Sequence, residues 1–276
     1  MLADLSTYSL QDFLLFDATI YRGLFGQMTA ALWPLALAGI ALALVLLGLR
    51  RRLPALADQG AAMLLATAFL ASAWFFFFGV YRTINFAAVY PGWAFVAQAG
   101  LLLLAAVVAV FATGPSRWGN AASPLTRLVA ALVVLYGLFG HPAAELATGR
   151  EAASLEWFAL APDPTALVAL GFLASWRSRW RYALSLVPVI WLAASALTLY
   201  GLEMQTEALC LALAMLVGLV ALVLPRQTAF EFARSEEAHD GTATRRAPPR
   251  PGEAPRIPGR IKAAGGEALL PTTRRQ

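Results

Sequence analysis

The chain has 276 residues, of which 59% are hydrophobic and only 13% are charged. Soluble domains usually carry about a quarter charged residues, so this composition excludes an ordinary soluble globular protein and indicates lipid as the solvent. The net charge of +5 does not indicate nucleic-acid binding, because residues 226–276 hold most of the excess. The single cysteine, Cys210, excludes an intrachain disulfide and a multi-cysteine metal site.

Residues 1–27 form a polar and aromatic segment before the first long apolar run. No Lys or Arg precedes Arg22, so we expect no signal peptide. Ser9 and Asp12 have the spacing of a capping box, and Asp17 predicts a second helix start. The pattern predicts short amphipathic helices in the membrane interface, with a simple packed N-terminal helix as the alternative.

Residues 28–225 hold a series of apolar runs that predict membrane-spanning helices. A helix needs about 20 apolar residues to cross a hydrocarbon layer of about 30 Å. We therefore predict an all-α fold, a bundle of about seven transmembrane helices, of which the fifth is the shortest. The predicted spans are residues 28–49, 60–81, 92–112, 125–140, 164–176, 182–200 and 207–224.

The loops between the predicted spans alternate in charge. Arginines 50–52, Arg117 and the arginines at 177, 179 and 181 fall in every second loop, whereas the other loops hold Arg82 alone or are mainly acidic. Cytoplasmic loops collect Lys and Arg, so the pattern predicts an outside N-terminus and a cytoplasmic C-terminus. The abundance of alanine, leucine and arginine suggests a GC-rich bacterial gene, and we expect the bacterial inner membrane.

Residues 226–276 have too few large apolar side chains to build a core, and we predict a disordered, basic cytoplasmic tail. Its arginines, and those of the Arg-rich loops, are candidates for contact with anionic lipid headgroups.

Three polar residues of the apolar region are candidate ligand-binding side chains besides Asp163. Arg82 is the only cation of its predicted outer loop, and Asn85 follows it. Arg82 could pair with Asp163 or with an acidic ligand, or it could simply extend to the interface at a helix end. Gln98 lies in the third span, where its amide predicts an interhelical hydrogen bond or, alternatively, a pore-lining group.

Asp163 stands between Pro162 and Pro164, with apolar residues on both sides. One interpretation makes Asp163 the cap of a helix that begins at Pro164. The other treats residues 155–176 as one crossing that the Pro-Asp-Pro sequence breaks midway, as in several transporter folds.

No pattern in the sequence predicts catalysis, a cofactor or a metal site. His141, Glu145, Glu156 and Glu207 lie on the predicted outer side, but no pair of histidines has ligand spacing. A nucleophile elbow, a phosphate-binding loop and a dinucleotide fingerprint are also missing. We therefore expect a protein that is not an enzyme and that does not bind nucleic acid.

Three segments resemble an uncharacterised bacterial family of multi-pass membrane proteins with a domain of unknown function. They are residues 7–16 (TYSLQDFLLF), 81–88 (YRTINFAA) and 161–166 (APDPTA). The resemblance covers most of residues 5–224 and implies a polytopic membrane fold, with no activity to carry over. Phe86 departs from it, since relatives tend to have tryptophan there.

Two functions remain open at the level of the sequence. One is a transporter or permease-like protein for a small solute, with Arg82, Gln98 and Asp163 near an outward-facing site. The other is a non-transporting scaffold or accessory subunit that binds a partner through its tail or its N-terminal helix.

Overall fold

The fold is taken from a computed structural model, which describes residues 16–111, 122–176 and 178–224. All of them belong to the first of two units of the chain, Met1–Ala229. The predicted capping box at Ser9 and the predicted tail lie outside the described residues.

Nine α-helices make up the described part of the chain, which contains no β-strand. A π-helix, Ser72–Val80, continues the second of them, and a shorter one, Tyr136–Gly140, joins the fourth to the fifth. The helices are α1 (Ala18–Leu49), α2 (Pro54–Ala71), α3 (Val89–Phe111), α4 (Pro124–Leu135), α5 (His141–Ala147), α6 (Pro162–Ser175), α7 (Trp180–Leu184), α8 (Leu186–Gly201) and α9 (Gln205–Val223).

Six helical stretches of the described residues are long and apolar enough to cross a membrane. Their outward faces carry large apolar side chains, such as Val45, Trp74 and Ile190, each more than half exposed. A helix that is apolar on its outer face as well as its inner face is suited to lipid rather than to water. The stretches are Ala18–Leu49, Pro54–Thr83, Phe86–Val108, Pro124–Ala147, Trp180–Gly201 and Gln205–Val223.

Side chains at the starts of α1 and α4 cap these helices. Asp17 caps α1 by accepting a hydrogen bond from the Ile20 N–H at 2.8 Å, as predicted. Ser123 caps α4 through the Thr126 N–H at 3.1 Å, and Pro124 takes the first helical position. α1 runs without a break from Ala18, so residues 18–27 continue into the first membrane helix and form no separate interfacial helix, while residues 1–15 of the predicted segment lie outside the described residues.

The predicted fifth span is the main difference between sequence and structure. It corresponds to α6, a helix of 14 residues, which at 1.5 Å per residue is about 21 Å long. Every residue of α6 is buried, and the helix packs against α2, α4, α8 and α9. It is therefore the central helix of the bundle and is too short to cross the hydrocarbon layer alone.

Contacts with α1 show that the chain nevertheless passes from one end of the bundle to the other on its way through α6. In the first half of α1, the Thr29 hydroxyl donates to the Leu155 carbonyl at 3.3 Å. Farther along, the ring of Phe158 lies beside Gly39, 3.3 Å from where a Cβ would be. At the far end, Arg50 contacts Ser175. Residues 155–175 thus follow the length of α1 as one crossing, of which only the second part is helical.

The start of α6 excludes the interpretation of Asp163 as a helix cap. The helix begins at Pro162, Ala161 is the N-cap residue, and Asp163 lies in the first turn. The Asp163 carboxylate turns away from its own helix and bonds to α8. A crossing with a break is the interpretation that fits, but the break lies at residues 155–161 and not at the Pro-Asp-Pro sequence, which forms the first turn of α6.

Gly171 lets α6 approach α4 closely. A Cβ at this position would lie 2.8 Å from the Ala130 carbonyl oxygen and 2.9 Å from the Val134 backbone nitrogen, neither of which can move freely. We expect Gly171→Ala to lower the free energy of unfolding by about 1–3 kcal/mol. Thermal unfolding in detergent measures the effect, and Gly100→Ala, where nothing lies within 4 Å, is the matched control. Equal melting temperatures for the two variants would contradict this packing.

Candidate functional site

Buried charged side chains collect where the break in the crossing begins. They come from the start of α1, from α5 and the loop after it, from the first turn of α6 and from the start of α9. Six of them are almost completely buried, and Arg22 is partly exposed. The set, called the charged cluster below, consists of Arg22, His141, Glu145, Arg150, Glu156, Asp163 and Glu207.

Arg150 is the centre of the charged cluster. Its guanidinium contacts Glu145, lies 3.1 Å from Glu156 Oε1 and 3.9 Å from Glu207 Oε2, and sits 4.7 Å from the centre of the Phe25 ring. Burial disfavours the charged form, but the carboxylates of Glu156 and Glu145 outweigh it, so the pKa of Arg150 is raised. The guanidinium therefore stays charged and holds three acids together.

The local backbone explains how Arg150 reaches this position. α5 ends after Ala147, and Gly149 adopts a φ of +84°, the left-handed conformation that favours glycine. The turn brings the Arg150 N–H back to the Glu145 carbonyl at 3.1 Å. The Glu156 N–H donates to Glu145 Oε2 at 2.8 Å, which fixes the entrance to the break.

Glu207 joins α1, α5 and α9 at the same end of the bundle. Its Oε1 accepts hydrogen bonds from the Arg22 guanidinium and from the Thr148 hydroxyl, each at 2.8 Å. Arg22 pairs with Glu207, and Arg150 is shared between Glu145 and Glu156, so two arginines serve three carboxylates of the cluster.

Glu156 and Asp163 lie close to His141. The His141 Nε2 atom lies 3.7 Å from Glu156 Oε2 and 3.7 Å from Glu145 Oε1. One possible ligand atom from each of His141, Glu156 and Asp163 lies within 4.8 Å of the others, and all three residues are buried. Among the described residues this is the group of His, Cys, Asp and Glu side chains whose arrangement suits a metal ion.

Two hydrogen bonds from α8 hold the Asp163 carboxylate. The Trp191 indole N–H donates to Oδ1, and the Ser195 hydroxyl donates to Oδ2, each at 2.6 Å. Trp191 is itself packed edge-on against Phe77 and Phe95. The aromatic contacts therefore fix the indole, and the indole fixes the carboxylate.

The other predicted site residues do not join the charged cluster. Arg82 is exposed and forms no ion pair with Asp163, whose carboxylate is held by α8, so of the two interpretations the extension of Arg82 at a helix end fits and the pairing with Asp163 does not. Asn85 caps a short turn through the Ala87 N–H at 3.0 Å and donates to the Tyr81 hydroxyl at 3.1 Å. Gln98 donates to the Leu184 carbonyl at 2.7 Å, which is the predicted interhelical hydrogen bond.

The charge pattern of the loops predicts His141, Glu145, Glu156 and Glu207 on one side of the membrane but does not group them into a site. One local signal was present, because His141 and Glu145 are four residues apart and so share a helix face. Arg150, the cation of an otherwise acidic loop, was the second signal. The spacing of residues in the sequence does not predict that α5 lies close to α6 and α9.

Helices that are apolar on their outer faces, together with buried charges inside the bundle, define a polytopic integral membrane protein. Within that class, the chain belongs to DUF6064, a family of unknown function, whose model matches residues 18–234. The predicted membership of an uncharacterised family is thereby confirmed. No curated protein and no solved structure matches the chain.

Proposed function

We propose that the protein is a membrane transporter for a small cationic solute and that the charged cluster is its binding site. The observation that carries the proposal is an excess of buried carboxylate beside the break in the central crossing. Loop charges and composition support the bacterial inner membrane as its location, with the cluster toward the outer side.

The charges of the cluster favour a positively charged solute. It has four acids, Glu145, Glu156, Asp163 and Glu207, against the two arginines, Arg22 and Arg150. Even with a protonated His141, the ionised cluster is negative. Buried ionised groups are costly unless they are paired, so a negative site of this kind is stabilised when a cation enters.

The broken crossing supports transport over a purely structural role. Discontinuous helices mark the substrate sites of several transporter folds, because the break supplies free backbone groups and helix ends at the middle of the protein. Here the break at residues 155–161 leads directly to Asp163 in the first turn of α6. A scaffold would not require an ionisable, fully buried side chain at this place.

Flux measurements in proteoliposomes test the proposal. The full chain is reconstituted, and entry of Mn²⁺, Rb⁺ and choline is followed as probes of divalent, monovalent and organic cations. We expect at least one probe to enter faster than in protein-free liposomes, and Asp163→Asn to slow that entry by more than about tenfold. Glu151→Gln, a change at an exposed acid of the neighbouring loop, is the matched control and should leave the flux unchanged. If no probe enters faster than in empty liposomes, the proposal fails, and a non-transporting scaffold becomes the better account.

A further inference from the structure

We infer that His141, Glu156 and Asp163 bind one divalent transition-metal ion. The inference rests on the proposed cationic solute and names its chemical class. It can nevertheless be tested by binding alone, without any transport measurement.

The geometry of the three side chains suits such an ion. Two ligands about 2.1 Å from a tetrahedral zinc ion are about 3.4 Å apart. His141 Nε2 and Glu156 Oε2 are 3.7 Å apart, and all three ligand atoms lie within 4.8 Å of one another. Side-chain movements of about 1 Å or less would therefore bring the three atoms to bonding distance from a common centre.

Two polar atoms within the group have no hydrogen-bond partner among the described residues. They are His141 Nε2 and Glu156 Oε2, and both are buried. His141 is 4% exposed and Glu156 is 1% exposed, so neither atom is open to bulk water. Buried polar atoms are normally satisfied, and two unsatisfied ligand-type atoms that face each other mark a place for a bound species.

Neighbouring side chains donate hydrogen bonds to both carboxylates, as they do in many metal sites. Glu156 Oε1 accepts from Arg150 at 3.1 Å, and Asp163 accepts from Trp191 and Ser195 at 2.6 Å. Such outer hydrogen bonds orient the ligands of metal sites. Oxygen atoms still have lone pairs available after accepting one hydrogen bond.

The donor set selects among cations. Imidazole nitrogen suits Zn²⁺, Fe²⁺, Co²⁺ and related ions, whereas Mg²⁺ and Ca²⁺ prefer oxygen ligands alone. Two carboxylates match the charge of a divalent ion. Three protein ligands leave a further coordination position open, which allows an ion to exchange rather than to be enclosed permanently.

Metal titrations of the purified, chelator-treated full chain in detergent test the inference. Co²⁺ binding is followed by its visible absorption band and Zn²⁺ binding by calorimetry. The chain has two histidines, so His141→Ala is compared with His239→Ala, whose residue lies in the tail outside the described part of the structure. Glu156→Gln is likewise compared with Glu151→Gln. We expect one ion per chain for the wild type and for both controls, and a loss of affinity of more than about tenfold for His141→Ala and Glu156→Gln.

Ser195→Ala provides a variant that keeps every charge and ligand in place. Because Ser195 only orients Asp163, its removal should weaken binding by about 10–100-fold even if the His141 variant does not fold. The inference is overturned if the wild type binds no transition-metal ion, or if His141→Ala and Ser195→Ala both bind as tightly as the wild type. Binding without flux would keep the inference and overturn the transporter proposal, whereas flux of Rb⁺ or choline without metal binding would do the reverse.

Discussion

Replacing Arg150 by glutamine should destabilise the protein by about 3–5 kcal/mol, the cost of breaking a buried ion pair from one side. Glu145 and Glu156 would lose the guanidinium that both contact, and Glu207 would lose a charge 3.9 Å away. The Phe25 ring would also lose the cation 4.7 Å from its centre. Thermal unfolding in detergent measures the change, and poor expression of a folded protein is the expected outcome in cells.

A control and a double variant separate the loss of charge pairing from a general effect of removing an arginine. Arg51→Gln removes an exposed arginine and should change the stability by less than about 0.5 kcal/mol. Glu145→Gln combined with Arg150→Gln removes one charge of each sign, so it should be less destabilised than the two single changes added together. An Arg150→Gln protein as stable as the wild type would show that the charged cluster is not held together by this residue.

Replacing Thr165 by valine should cost about 2–4 kcal/mol, although the two side chains have the same shape. The Thr165 hydroxyl accepts from the Ala159 N–H at 3.1 Å and donates to the Ala161 carbonyl at 2.7 Å. It also lies 3.3 Å from the Ser72 hydroxyl on the π-helix that follows α2. Without the hydroxyl, the break would keep buried backbone groups with fewer partners, in a segment where Ala159 already has an unfavourable φ of +70°.

Thr67→Val is the matched control for this prediction. The Thr67 hydroxyl donates to the Met63 carbonyl at 3.0 Å but is exposed on α2, so its removal leaves no buried group unpaired. The melting temperatures of the two variants are measured in the same detergent, and we expect Thr165→Val to have the lower one. Similar values for both would mean that the break does not depend on the Thr165 hydroxyl.

The helical membrane fold could be predicted because its signals are local. Apolar runs of the right length lie in sequence where the six long helices form, and Asp17 and Ser123 start helices as their side chains indicate. The bounds of the fifth span are harder to predict from the sequence. Its apolar run is interrupted, and α6 has no polar face to mark its ends because every residue of it is buried. Hydropathy detects an apolar segment but does not show whether lipid or protein surrounds it.

The site could not be predicted in the same way, because it is formed by contacts between distant parts of the chain. Asp163 was identified from its two flanking prolines, but its partners, Trp191 and Ser195, are 28 and 32 residues away. Arg22 and Glu207 are 185 residues apart, and no spacing rule connects them. Arg82 departs from the charge pattern of the loops, but this is a weaker signal than the alternation of Glu145, Arg150 and Glu156 along residues 145–156.

The crossing at residues 155–175 determines where the residues of the site lie in the fold. It places Glu156 at the entrance to the break, Asp163 at the first turn of α6, and Ser175 beside Arg50 at the opposite end of the bundle. If this segment does not cross the membrane, residues 151 and 178 lie on the same side, and the contacts that follow α1 from Thr29 to Arg50 cannot both form.

Labelling of single cysteines with a membrane-impermeable maleimide tests this crossing most directly. In a Cys210→Ala background, cysteine is introduced at Glu151, before the break, and at Ser178, after α6; Arg51→Cys marks the side of the loop that follows α1. The account predicts that position 151 is labelled from one side of the membrane and that positions 178 and 51 are labelled only from the other. Labelling of positions 151 and 178 from the same side would contradict it.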